Sequence, residues 1–237
     1  MNATIKYTSG PYIPAMGLLD SIIRREKKPL SIDLAEVYDS SVKDGPETRM
    51  LAHNRRLADS IQDFQDQGDN PRPQEIFLFE EERKLQPDYH VPYYWCASYH
   101  MKKRNYEMAK DVLRTGIAQC NAKSALCRRL AECYFCTEDL EESIYWFCTA
   151  IMAGDQTDFN PYLFIGYMCD AYGLKKEAYW ARRRARGISY AMAYAALEYV
   201  HSDRDKIMAL AMKKKTDKSV AMLEVFYLHA SKALGNL

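Results

Sequence analysis

A repeat constrains this chain more than any other feature of it. Met108-Ala109 recurs as Glu142-Ser143 after 34 residues, and as Glu177-Ala178 after a further 35. Around each copy the same succession of small and large apolar residues returns. A period near 34 belongs to helix–turn–helix units, which cannot bury their apolar faces alone and must stack on one another. Strand signals are nearly absent, because Val and Ile are sparse and no alternating run persists. The chain is therefore expected to be all-α.

Aligning the units places equivalent residues on one helix face. The first helix of each unit contributes Tyr93, Cys96, Ala97 and His100, then Cys127, Leu130, Ala131 and Tyr134, then Tyr162, Ile165, Gly166 and Cys169. These lie at i, i+3, i+4 and i+7. Ala97, Ala131 and Gly166 each stand 12 residues before Ala109, Ser143 and Ala178 on the second helix. Small residues face to face would let two antiparallel helices approach closely. Leu113 and Phe147 then supply bulk, while Gly116, Ala150 and Ala185 leave room for the next unit.

This spacing resembles the tetratricopeptide repeat, whose pattern runs from a large residue through Leu-Gly, Tyr, Ala, Phe and Ala to a closing Pro. The second unit matches with Leu130, Ala131, Tyr134, Ser143, Phe147 and Ala150. The first carries Tyr93, Ala97, Ala109, Leu113 and Gly116. The third carries Tyr162, Ile165, Gly166, Ala178 and Ala185, but has Arg182 where an aromatic belongs. Phe79 lies 34 residues before Leu113, and Pro87 lies 34 before Asn121, so Gln74 to Gln86 resembles the second helix of a degenerate earlier unit. A generic helical bundle, or Sel1-like units, would share part of this spacing. The resemblance implies an all-α, right-handed α-solenoid of about three hairpins plus a degenerate one, with N- and C-terminal capping helices.

The expected organisation is an extended arm over 1–17, an N-terminal helical region over 18–70, repeats over 71–189 and capping helices over 190–237. Met1 to Gly17 holds two prolines and two glycines. Helices are expected at Leu18–Lys28, Ser31–Lys43 and Glu47–Gln67. The run Gly68-Asp69-Asn70-Pro71-Arg72-Pro73 marks the main break. Helices then follow at Gln74–Leu85, Pro92–Lys103, Tyr106–Gln119, Ser124–Cys136, Leu140–Ala153, Pro161–Ala171 and Lys175–Gly187, with Asn160 as a cap. The tail should hold helices over Tyr190–Val200, from Ser202 to Lys214, and from Asp217 or Lys218 to Ala233.

The resemblance also implies a concave groove lined by the first helices. Its expected residues are Tyr94, Ser98, Met101 and Lys102, then Arg128, Glu132, Phe135 and Cys136, then Leu163, Tyr167 and Asp170. Mixed aromatic, aliphatic and charged side chains suit capture of a partner helix or peptide. Some tetratricopeptide domains grip chaperone tails through a Lys/Asn clamp on the first helices. Here the matching positions hold Tyr94, Ser98 and Arg128, with Lys102 the only fit, so that specialisation is not expected.

Charge and cysteine usage narrow the classes further. The chain has 33 basic and 32 acidic residues among 237, a formal net charge of +1. No global attraction to nucleic acid or membrane follows. The one compact basic helix holds Arg182, Arg183, Arg184 and Arg186 after Lys175-Lys176, and Lys213-Lys214-Lys215 comes later. These residues suit RNA or an acidic protein surface, or form a solvated helix end. Glu80-Glu81-Glu82 reads as a solvated face or a docking surface. Seven cysteines without a secretory signal read as reduced thiols. Cys120, Cys127, Cys133 and Cys136 invite a zinc reading, but Cys133-Tyr134-Phe135-Cys136 falls inside a helix rather than on a turn. Cys96 and His100 share a helix face near His90, but no orienting group can be found for them, so both read as core. No phosphate loop, metal-ligand helix or GxSxG elbow is present. No catalytic residue, metal ligand or cofactor is expected.

No segment reaches the roughly 18 apolar residues of a membrane span. The expectation is a non-catalytic adaptor or scaffold subunit of a larger protein assembly, in the cytosol, nucleus or an organelle matrix. An RNA-associated protein using the Arg182–Arg186 helix, and a dedicated client chaperone, are the alternatives.

Overall fold

The computed structural model describes residues 56–64, 73–154, 158–188 and 204–234. The expected arm and the helices Leu18–Lys28, Ser31–Lys43 and Tyr190–Val200 lie outside these residues, as does Ser202. The described chain is all-helical: α1 (56–64), α2 (Pro73–Leu85), α3 (His90–Lys102), α4 (Tyr106–Gln119), α5 (Ser124–Cys136), α6 (Leu140–Ala153), α7 (Asn160–Tyr172), α8 (Lys175–Ile188), α9 (204–213) and α10 (Asp217–Leu234). Three helices, α4 to α6, keep the expected boundaries. Among the described residues no helix is long and apolar enough to cross a membrane.

Neighbours in sequence are neighbours in space. The closest packing is within the pairs α3–α4, α5–α6 and α7–α8, and successive pairs meet through α4–α5 and α6–α7. All six small residues of the paired positions are buried. Ser143 Oγ donates to the Ala131 carbonyl at 3.0 Å, so the first and second helices of that pair touch at the expected point. A methyl group built on Gly166 would lie 3.1 Å from Arg182 Cγ and 3.7 Å from the Ala178 carbonyl oxygen. The expected close approach of α7 and α8 is therefore present.

The turns repeat as faithfully as the helices. Arg104, Glu138 and Gly173 all take left-handed backbone conformations, with φ of 59°, 58° and 80°. In each turn this residue's N–H donates three residues back: Arg104 to Met101, Glu138 to Phe135 and Gly173 to Asp170. The next residue donates five back: Asn105 to His100, Asp139 to Tyr134 and Leu174 to Cys169. This pair of bonds satisfies carbonyls that the ending helix leaves open, and it reverses the chain tightly. Only Gly173 is the residue type that the conformation favours. Asn160 is not the cap of α7; its backbone N–H instead donates to Asp158 Oδ1 at 3.0 Å.

First and second helices differ in how they are buried. On α4 the buried positions Ala109, Val112, Leu113 and Gly116 form one stripe, with the buried Lys110 beside it over the Tyr134 ring. On α3 every residue from Val91 to Tyr99 is buried, and α7 is buried nearly all round. A helix apolar on all sides is one enclosed by neighbours. Part of the cover on α3 is α1, where Phe64 meets Trp95 and Phe79 edge-on at 5.7 and 6.0 Å. The C-terminal α10 packs across α6, α7 and α8. There Trp180 meets Phe226 and Tyr227 edge-on, and Ser219 Oγ donates to the Tyr172 hydroxyl at 3.1 Å. Lys213 and Lys218 reach Glu138 and Glu141 at 3.0 and 2.6 Å, which ties the tail to the α5–α6 hairpin.

Two glycines separate two physical effects. A methyl group on Gly116 would meet Tyr93 Cγ at 2.8 Å and Leu126 Cδ1 at 2.9 Å. Gly116→Ala should therefore destabilise the fold by about 1–3 kcal/mol through overpacking, beyond the ~1 kcal/mol that alanine gains in helix propensity. On Gly173 the methyl group meets nothing within 4 Å. Gly173→Ala should cost only the left-handed backbone, about 1 kcal/mol. Urea denaturation of the two variants measures both, and a stabilised Gly116→Ala would contradict the close packing.

Candidate functional site

None of the ten principal groove positions is exposed. Tyr94, Ser98, Arg128, Leu163 and Tyr167 are buried, and Met101, Lys102, Glu132, Phe135 and Asp170 are half-buried. Cys136, at the edge of the expected groove, is exposed. The enclosure of α3 and α7 is the reason. Lys102 Nζ donates to the Phe64 carbonyl at 2.9 Å and sits over the Phe64 ring, so α1 occupies it. Ser98 Oγ bonds back to its own helix at Tyr94. Phe135 packs edge-on against Phe164.

The charged members of the second unit close on themselves. Arg128 Nη2 donates to the Tyr94 hydroxyl at 3.1 Å, and Arg129 Nη2 donates to the same oxygen. Glu132 accepts from Arg128 at 2.9 Å and from Arg129 at 2.7 Å, and Asp158 stands 2.7 Å from Arg128 Nε. Two guanidinium groups thus face two carboxylates across α3, α5 and the segment entering α7. Burial pushes the Asp158 carboxyl up, against the pull of Arg128. Burial opposes the Arg128 charge, but Tyr94, Asp158 and Glu132 outweigh it and raise its pKa. The set is balanced in charge, although Arg129 Nε is buried without a hydrogen-bond partner, and its ion pairs run between its own members rather than toward a ligand. Arg129 and Asp158 carried no periodic signal in the sequence and were not anticipated.

The third unit behaves differently. Leu163, Tyr167 and Asp170 of α7 meet Arg182 and Arg186 of α8 around a cavity of about 490 Å³. Arg204 and Met208 of α9 complete it. Asp170 is the only acidic residue of the lining, and it is paired with Arg182. Arg204 lies over the Tyr167 ring at 5.9 Å. Burial pushes the Tyr167 phenol up, with Arg204 and Arg182 pulling the other way. Three cations against one anion leave the lining with a surplus of two positive charges. Beside it, Tyr179, Arg182, Arg183 and Arg186 border a second concavity of about 400 Å³. Arg184 turns away over Trp180 at 5.9 Å.

This basic cavity stands where the repeat pattern fails. Arg182 occupies the position of Leu113 and Phe147 in the earlier units, and its stem passes over Gly166. A bulky residue at 166 would close that path. The sequence pointed to Arg182 but not to Arg204 or Met208, which lie beyond the repeats and share no period with them.

Away from this cavity, most of the cysteines lie in the core. Cys96, Cys120, Cys127, Cys133 and Cys169 are buried free thiols. Burial pushes Cys133 up to about 12, and Cys120 and Cys127 up to about 11, so they are protonated at neutral pH. Among the described residues, Cys120, Cys127, Cys133 and Cys136 do not bring their sulfurs together as a metal-ligand set. Glu80-Glu81-Glu82 is not uniformly solvated: Glu81 is exposed, Glu80 is half-buried and Glu82 is fully buried. Successive helical residues point about 100° apart, so the run cannot share one face.

Comparison with protein-family models, with curated protein sequences and with solved structures finds no match in any of the three.

The balanced network makes a sharp stability prediction. Asp158→Ala leaves the buried Arg128 with only Glu132 to oppose its charge. It should destabilise the protein by on the order of 2 kcal/mol, below the full penalty for breaking a buried pair. Urea titration checks this, and a variant within ~0.5 kcal/mol of the parent would remove Asp158 from the network.

Proposed function

We propose that this chain is a non-catalytic adaptor or scaffold subunit, built of tetratricopeptide-like hairpins in a right-handed solenoid. It holds an acidic stretch of a partner protein in the basic cavity between α7, α8 and α9. The observation that carries this reading is the charge imbalance of the cavity. Arg186 and Arg204 are exposed and have no ion-pair partner among the described residues, while the one carboxylate is taken by Arg182. A guanidinium presents a planar fork of donors that matches a carboxylate. Leu163, Tyr167 and Met208 add an apolar wall for the rest of a peptide. A concave site lined mainly by apolar groups, with a few convergent polar ones, is the usual form of a binding site.

The enclosed first helices move the expected partner contact from the centre of the solenoid to its third unit. The balanced Arg128 network and the covered face of α3 leave little for a ligand there. RNA is the second reading, favoured by the exposed Tyr179 beside Arg183 and Arg186, since a ring among cations suits a stacked base and its phosphate.

Fluorescence anisotropy with a labelled octa-glutamate peptide and a labelled uridine oligonucleotide tests the reading. The peptide should bind in a salt-dependent manner. Arg186→Glu with Arg204→Glu should weaken it by at least tenfold, about 1.4 kcal/mol. In affinity purification the same double variant should lose its fixed partners. Tighter binding of the oligonucleotide, lost in Arg183→Glu, would replace the adaptor reading with the RNA reading. Peptide binding unchanged by the double variant would remove the cavity from either role.

A further inference from the structure

We propose that Glu80 of α2 and Cys96 and His100 of α3 form a binding site for a divalent transition metal, with zinc the ion that fits best. The site lies at the α2–α3 contact, away from the basic cavity, and does not depend on the adaptor reading. One donor atom from each residue lies within 4.8 Å of the other two. A zinc ion holds sulfur at about 2.3 Å and nitrogen or oxygen at about 2.0–2.2 Å, which places tetrahedral ligands roughly 3.5 Å apart. Closing the set on an ion therefore needs movements of about an ångström or less at side-chain tips.

The positions explain why these three meet. Cys96 and His100 are separated by four residues, one helical turn, and so share a face. The sequence alone offered no third group for this pair. The tertiary packing supplies it, because α2 lies against α3 and turns Glu80 toward them while Glu81 faces solvent.

A second observation points to a ligand. His100 Nε2 is buried and has no hydrogen-bond partner. An imidazole packed only as core would ordinarily satisfy such an atom. Cys96 is fully buried, and Arg83 Nη1 donates to its sulfur at 3.3 Å. Burial favours the Cys96 thiol, and the Arg83 hydrogen bond offsets that only in part; the Arg83 charge opposes a cation, and Arg83 also lies over the Tyr93 ring at 5.0 Å. On binding, the Cys96 S–H bond breaks, the sulfur's electron pair goes to the metal and one proton passes to solvent. The donors are one thiolate, one imidazole and one carboxylate. This set disfavours magnesium and calcium, which take oxygen donors, and suits zinc or cobalt.

The test uses the full chain, reduced and stripped of metal with a chelator, and titrated with Co²⁺ alone and then with Zn²⁺. One equivalent of Co²⁺ should produce a thiolate-to-cobalt charge-transfer band, and Zn²⁺ should abolish it. Cys96→Ser should remove the band. Glu80→Gln, at a half-buried position that tolerates the isosteric change, should keep the helical circular dichroism and weaken Co²⁺ at least tenfold. Cys136→Ser should change nothing. The proposal is overturned if no stoichiometric band forms, if the band follows Cys136 rather than Cys96, or if folded Glu80→Gln binds Co²⁺ as tightly as the parent.

Discussion

Close approach of paired helices is the constraint on which the rest of this structure depends. It rests on three pairs of small residues, Ala97 with Ala109, Ala131 with Ser143, and Gly166 with Ala178. All are buried, and each pair is separated by 12 residues. That separation sets where the turn must fall. The three left-handed turn residues, Arg104, Glu138 and Gly173, accordingly recur at intervals of 34 and 35. Two of the three accept a conformation that costs a side-chain-bearing residue about 1 kcal/mol, which means that hairpin packing outweighs local preference there.

With the hairpins fixed, charge is handled in two opposite ways. In the second unit, two arginines and two carboxylates are enclosed together with the Tyr94 hydroxyl. Enclosing both signs limits the cost of burial, because a buried charge left alone would cost several kcal/mol. In the third unit the cations outnumber the anions and stay at the surface, where water carries their charge at little cost. The first arrangement fits a structural joint and the second a binding site. Arg182, in place of an apolar residue of the repeat, is answered by Asp170, and the surplus comes from Arg186 and Arg204.

Much of the core and of the all-helical fold was legible in the sequence, because a helix buried on one face must repeat its apolar residues every three or four positions. Leu113, Phe147, Ala150 and Ala185 are buried where the period placed them. The expected groove was less legible. Tyr94, Leu163 and Tyr167 sit on the predicted helices but are buried. A repeat pattern describes how a unit meets the next one, and carries nothing about α1 or α10, which share no period with it. Arg204 and Met208 escaped for the same reason.

The sequence by itself determined the helical period, the paired small positions and the presence of a basic helix whose first arginine breaks the pattern. These are local properties, set by side-chain size and spacing along one chain. The tertiary structure alone decided which charges are neutralised and which remain open. It set Asp158 against Arg128, Asp170 against Arg182, and Arg204 beside Tyr167. It also brought Glu80 to Cys96 and His100, across the contact between two helices. Electrostatic pairing depends on distance through space, and these partners meet across helix contacts that no spacing along the chain records.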